Sequence, residues 1–362
     1  MLNWTTAALL AASAVSSPGA PLPDHEQITA IPPELEAQFQ EHVIRKGDSK
    51  EERLRLLIDF VLEAPGLNLQ YDVGTTRTVA ETYRARKANC LSFTLLFIAL
   101  AREAGLKASV QEYEQVLVWY LQDGLVFNSS HVNARVEAGA ERQTVDVGRN
   151  VLISRYRPKI ISDERALSFY YNNRGVELMA DGDLVGAGRH LDAAVALEPD
   201  DAAVWSNLGV LSLRRGDAPS AERRYHKALE LDSRHGAALA NIVTLYQRTD
   251  RPQLAADYRR RLQRVQFADP FHQFMMGMDY EKRGQFSMAA SYYRRATRLH
   301  DSEPAFYLGL ARVYSAMGEL RRAQRSLTRA YALKDENARK ALQAKNEERR
   351  QRAGSVARQV NH

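Results

Sequence analysis

Cysteine is nearly absent: the 362-residue chain has one, Cys90. A single thiol excludes an intramolecular disulfide and any zinc site built on several cysteines. Also missing are the HExxH, P-loop and GxGxxG patterns, and with them the sequence signs of a zinc peptidase, a nucleotide hydrolase or a dinucleotide-binding enzyme. No apolar run reaches the twenty or so residues that a membrane span needs. The body of the chain lacks strong charge. Of the net +6, five charges sit in residues 338–362, where seven basic side chains meet only Glu347 and Glu348. That distribution argues against a nucleic-acid partner and leaves a basic tail. What is present, 45% apolar and 26% charged residues, describes ordinary globular domains, and the length allows two or three.

Residues 1–20 hold a short apolar stretch at 7–15, with Ala12-Ser13-Ala14 and Pro18-Gly19-Ala20 as small-residue cleavage signals. No Lys or Arg precedes it. The segment reads as an export signal, so the mature chain is expected in the periplasm. Residues 21–33 are proline-rich and read as an extended linker.

Residues 34–160 read as an α+β domain, with a central helix and an antiparallel sheet. Helical spacing covers 34–44 and 50–63, and Thr78-Val79-Ala80-Glu81 has the form of a capping box. Leu91 to Ala101 is apolar nearly all round, which predicts a buried helix with Asn89 as N-cap and Gly105 as its left-handed terminator. Cys90 then falls in the first helical turn. There, unpaired backbone N–H groups and the positive end of the dipole favour an anion.

After this helix the period changes to two. Residues 108–113, 115–121, 124–128, 131–137 and 142–148 read as strands. A turn centred between Gly139 and Ala140 pairs residues whose numbers sum to 279, so Asn133 faces Asp146. His131 is then the diagonal neighbour of Asp146, with Cβ atoms within about 7–8 Å. A one-residue slip would send Asp146 to the other face. Cys90, His131 and Asp146 are therefore candidates for nucleophile, base and orienting acceptor. The plainer readings stay open: a small core thiol, a polar strand end and an edge carboxylate. Three such mixed groups, with no further His or Cys nearby, do not make a metal site, and no cofactor is expected.

From about residue 168 to 337 the chain repeats every 34 residues in five units. Gly175, Gly209 and Gly277 mark one slot, with Val243 and Ala311 filling its other two places. Ala187, Ala221, Ala255, Ala289 and Ala323 mark another without a gap. Small residues at fixed slots let the two helices of a hairpin approach closely, while Trp205, Tyr246, Tyr280 and Tyr314 supply bulk. The pattern is that of the tetratricopeptide repeat, which implies an all-α solenoid. Residues 338–362 read as a capping helix and basic tail.

Upstream, Asn-Cys-Leu-Ser opening a buried helix, His-Val-Asn-Ala-Arg-Val opening a strand, and Thr-Val-Asp-Val on the next resemble the transglutaminase-like (papain-like) core over about residues 45–150. Thr78 to Thr82 resembles its lead-in helix. The resemblance implies Cys90 as nucleophile, His131 as base and then acid, and Asp146 as the group fixing the imidazole. The Cys90 N–H would be one oxyanion donor; Gln70 and Tyr71 are candidates for the second by position. The implied reaction is acyl transfer or hydrolysis at a peptide or Gln carboxamide through a Cys90 thioester. The alternative is a non-catalytic tetratricopeptide adaptor carrying a degenerate module.

The repeats imply a peptide or protein client. Two residues before the Gly slot come Asn173, Asn207 and Asn241, and five after it Arg214, Arg248 and Lys282. An asparagine row suits an extended backbone, because an amide donates and accepts at once. The basic row suits an acidic segment or a free carboxylate. Phe271, Phe274, Met275 and Met278 read as an apolar anchor in the fourth unit.

Overall fold

The computed structural model describes residues 21–72, 74–122, 125–139, 141–146 and 158–334. The expected export signal (1–20) and the expected capping helix and basic tail (338–362) lie outside the described residues. The chain divides into two compact units, one of residues 1–110, 133–147 and 160–231, the other of 111–132, 148–159 and 232–362.

In the first unit, residues 21–33 are not a free linker. Asp24 caps a short helix α1 (His25–Thr29) through a capping box with Gln27, and Ile28 is fully buried. Tyr171 holds the preceding turn by donating to the Pro23 carbonyl at 2.6 Å. One buried apolar residue and a local cap outweigh the extended bias of the prolines. α2 (Pro33–Phe39) runs into a π-helical turn (Gln40–Ile44), and Ser49 caps α3 (Lys50–Leu62). Leu54, Leu57 and Val61 bury one face of α3, as their spacing requires.

β1 (Gln70–Tyr71) pairs in parallel with β2 (Lys87–Ala88), and α4 (Val79–Ala85) lies between them in sequence. α5 (Cys90–Glu103) is the buried central helix, followed by Gly105 at φ +74°. The five short strands expected after it resolve into longer ones. These are β3 (Lys107–Gln122), β4 (Leu125–Ala138) and β5 (Glu141–Val145). With β6 (Lys159–Ile160) they form a sheet in the order β5-β4-β3-β6. The β4–β5 ladder pairs Ala134 with Val145 and Ala138 with Glu141, which is the register of sum 279.

The repeats are helical hairpins. The first unit holds α6 (Asp163–Ala180) with α7 (Leu184–Leu197), and α8 (Ala202–Arg214) with α9 (Ala218–Leu231). The second unit holds α10 (Gly236–Arg248) with α11 (Pro252–Ala268), α12 (Pro270–Lys282) with α13 (Phe286–Leu299), and α14 (Pro304–Ala316) with α15 (Leu320–Lys334). The glycine slot has a direct steric cause. A Cβ on Gly209 would lie 2.5 Å from Tyr225 Cε1, and one on Gly277 2.5 Å from Tyr293 Cδ1. In these two hairpins a fully buried tyrosine of the second helix, Tyr225 or Tyr293, packs onto the backbone of the first.

Candidate functional site

Asn89 creates the start of the central helix. Its Oδ1 accepts the Ser92 N–H at 2.8 Å and the Ser92 hydroxyl at 2.9 Å. Its Nδ2 donates to Thr76 Oγ1 at 2.8 Å. Cys90, the first helical residue, is half-exposed where its neighbours Leu91 and Ser92 are buried. Thr94 braces the same turn by donating to the Cys90 carbonyl at 2.7 Å. The Cys90 N–H precedes the first i→i−4 bond of the helix, so helix geometry leaves it available as a donor.

The segment that leads to Cys90 is held by several hydrogen bonds. Thr78 and Glu81 exchange the two bonds of a capping box at the start of α4. Arg86, at φ +52°, ends that helix and turns the chain into β2. Arg77 donates its backbone N–H to Ser92 Oγ at 2.8 Å and pairs with Asp72 at 2.8 Å. The Gly74 N–H, and after it the Arg77 guanidinium, hold the Asp72 carboxyl below the usual range.

Thr76, itself buried, donates its N–H to Glu177 Oε1 at 2.7 Å. Glu177 lies on α6 and also accepts from Arg174 Nη1 at 2.6 Å. Burial pushes its carboxyl above the usual range despite these partners. Sequence reading missed Glu177, Thr76 and Arg77. Glu177 sits 101 residues from Thr76, and no local pattern marks it.

The other proposed catalytic residues lie on or beside the sheet. Asp146, half-buried, is the residue after β5. The β4–β5 ladder ends one residue before it, with Val145 opposite Ala134. His131 is half-exposed, with its ring 5.7 Å from that of Tyr113. Gln70 does not present its amide toward the helix start, since it donates to Asn68 O at 3.1 Å and Asn68 Oδ1 at 3.3 Å. Tyr71 is exposed. No group of three or more His, Cys, Asp or Glu suited to a metal occurs among the described residues. A cleft of about 440 Å³ runs along the far half of α5, past Leu95, Ile98 and Ala99, and does not include Cys90. Two of its charged members, Arg102 and Asp163, bind each other at 2.7 and 2.9 Å.

A family model described as the transglutaminase-like superfamily matches residues 37–113, and one described as the tetratricopeptide repeat matches 307–341. The chain carries a transglutaminase-like domain followed by tetratricopeptide repeats. The first match takes in Cys90 and ends before His131 and Asp146. Tetratricopeptide repeat protein 36 homolog of Nematostella vectensis is 41% identical over 70 residues, 19% of this chain and 39% of that protein. Tetratricopeptide repeat protein 34 of Homo sapiens is 34% identical over 79 residues, 22% of this chain and 14% of that protein. The chain thus spans well under two thirds of the length of these relatives. Among solved structures, YrrB, described as a TPR protein with an unusual peptide-binding site, is 21% identical, with 49% of this chain and 92% of that one covered and a TM-score of 0.26.

The tetratricopeptide region corrects the expected asparagine row. Asn207 is 3% exposed and donates to Asn172 Oδ1 at 2.8 Å, while Asn241 is fully buried. Asn207 therefore braces α8 against α6, and its partner is Asn172 rather than Asn173. Helical side chains tilt toward the N-terminus, so a residue on α8 reaches one position further back than the 34-residue period suggests. Arg214 behaves alike: it donates to the Met179 carbonyl at 2.6 Å, satisfying the last turn of α6. Asn173 is half-buried, and Arg248 and Lys282 are exposed. The apolar anchor splits. Phe271 and Phe274 are core residues against Phe306, with ring centroids 5.5 and 5.0 Å away. Met275 and Met278 stay exposed.

Proposed function

We propose that the transglutaminase-like domain performs cysteine-dependent acyl transfer and that the tetratricopeptide region holds the peptide or protein client. Cys90 attacks a carboxamide or peptide carbonyl, and His131 accepts the thiol proton and returns it to the departing ammonia or amine. Asp146 fixes the imidazole, and the thioester passes to water or an amine. The observation that carries this reading is the single thiol, half-exposed as the first residue of a buried helix whose start is capped by Asn89. The roles of His131 and Asp146 rest on the sequence motifs around them.

Iodoacetamide alkylation against pH, in the wild type and in His131→Ala, tests it. A reactive fraction at neutral pH that His131→Ala abolishes supports an activated nucleophile. A profile near pKa ~8.5 in both proteins, as for an ordinary thiol, overturns it. The end of the matched segment at residue 113, short of His131 and Asp146, favours a second reading, an adaptor with a degenerate module. That reading expects client capture unaffected by Cys90→Ala and no ammonia release from glutamine peptides. Export is proposed from residues 1–20. A mature N-terminus near Val15 or Pro21 supports it, and an intact Met1 chain in the cytoplasm removes it.

A further inference from the structure

The second helices of the hairpins divide sharply by charge. α7 and α9 balance four basic side chains against three acidic ones. α11, α13 and α15 carry four, three and four arginines against one carboxylate, Asp257. Their partner helices α10, α12 and α14 are almost neutral. The excess is thus confined to the second helices of the hairpins in the second unit.

Part of this arginine row is structural. Arg261 donates to the Ser233 carbonyl at 3.3 Å and lies over the Tyr258 ring. Arg295, one period on, donates to the Phe267 carbonyl at 3.0 Å, and Arg329 lies over the Tyr307 ring. Asp257 is taken by Arg260, and Arg322 by Glu319. The remaining six, Arg259, Arg264, Arg294, Arg298, Arg321 and Arg325, are all exposed, with Arg264 and Arg325 also donating back along their own helices to the Arg260 and Arg321 carbonyls at 3.4 and 3.3 Å. The same three helices also carry exposed apolar side chains: Leu254, Met288, Leu320 and Tyr331. Leu254 and Met288 occupy one slot of the repeat.

We propose that the exposed arginine-rich sides of α11, α13 and α15 dock on an anionic phospholipid surface. A guanidinium binds phosphate through two parallel N–H bonds, and each one near an anionic membrane strengthens binding about fivefold. Aliphatic side chains such as Leu254, Met288 and Leu320 gain by entering the headgroup layer. They gain nothing from a nucleic-acid strand, which calls for a groove with stacked aromatic platforms. Docking of this kind needs no spanning helix, and among the described residues no helix is long and apolar enough to cross a membrane.

Co-sedimentation of the full chain with phosphatidylglycerol/phosphatidylcholine vesicles tests the proposal, against vesicles of phosphatidylcholine alone. Binding should require the anionic lipid, weaken with salt and fall about 100-fold in Arg294→Glu/Arg298→Glu/Arg325→Glu, or less in the matching Gln variant if Glu perturbs folding. Met288→Ser/Leu320→Ser should lose binding several-fold while keeping its salt dependence. The basic tail is common to all variants, so a triple variant that binds like the wild type assigns binding to the tail and overturns the proposal. Equal binding to neutral vesicles overturns it too. So does tighter binding to an oligonucleotide at matched phosphate that Met288→Ser/Leu320→Ser leaves unchanged, which gives these helices to nucleic acid.

Discussion

Glu177 Oε1 accepts the Thr76 N–H at 2.7 Å, and so joins the first helix of the repeats to the loop that caps the Cys90 helix. The path continues through Thr76 Oγ1 to Asn89 Nδ2 and from Asn89 Oδ1 to Ser92, every step between 2.7 and 2.9 Å. A buried carboxylate in such a path has a measurable pH signature. Burial raises the Glu177 pKa in the fold, so the folded chain binds this proton more tightly than the unfolded one. The corresponding stability is fully present below the unfolded value of about 4.3 and is lost as pH rises through the higher folded value. Glu177→Gln keeps an acceptor for Thr76 and removes the titration. Thermal melts from pH 4 to 7 should therefore slope down less in Glu177→Gln than in the wild type. Glu177→Leu leaves Arg174 and the Thr76 N–H without their carboxylate, and should cost about 3–5 kcal/mol. Identical slopes in the wild type and Glu177→Gln would remove the carboxylate's titration from the account.

The Gly209–Tyr225 contact predicts a second result. In an open helix, Gly→Ala stabilises by up to about 1 kcal/mol. Here the new Cβ meets Tyr225 at 2.5 Å, so Gly209→Ala should instead destabilise by about 1–3 kcal/mol. Adding Tyr225→Leu should recover part of that loss. Denaturant unfolding of the two variants decides the matter, and a stabilised Gly209→Ala would show that the approach is not a constraint.

Features written in neighbouring residues were legible in the sequence. Asn89, Gly105 and the Thr78 capping box each act within a few positions and stand where their residue types predict. The β4–β5 register follows from turn symmetry alone. Contacts between distant elements were not legible. Nothing near Glu177 points to Thr76, and nothing near Pro23 points to Tyr171. The asparagine row illustrates a subtler gap. Its period was correct, yet period does not distinguish a residue facing a groove from one facing the next helix.

That distinction changes what Asn207→Ala should do. The variant leaves the Asn172 amide oxygen without its donor in a buried contact, so the expected effect is a loss of about 1–3 kcal/mol in stability. Amide hydrogen exchange should quicken in α6 and α8, since the bond joins those two helices. Client capture measured well below the transition should then match the wild type. A stable variant with weakened capture would instead return Asn207 to the groove.

The hairpin turns supply the last prediction. Gly182, Gly216, Gly284 and Gly318 follow the first helices of four hairpins at φ between +71° and +88°, and Asp250 fills the equivalent place in the third at φ +54°. Nothing lies within 4 Å of where a Cβ would stand at the four glycines, so backbone conformation rather than space selects glycine there. A non-glycine residue in this region loses roughly 1–2 kcal/mol, although the short polar side chain of aspartate tolerates it better than most. Asp250→Gly removes that strain, but gives back part of the gain through the freer unfolded chain. The net expectation is a stabilisation of about 0.5–1 kcal/mol. It should appear as slower amide exchange in α10 and α11, because a repeat array reports stability locally. Asp250→Val, with a branched side chain in the same conformation, should shift exchange the opposite way. If Asp250→Gly leaves exchange unchanged or faster while Asp250→Val is tolerated, the left-handed turn does not limit the third hairpin.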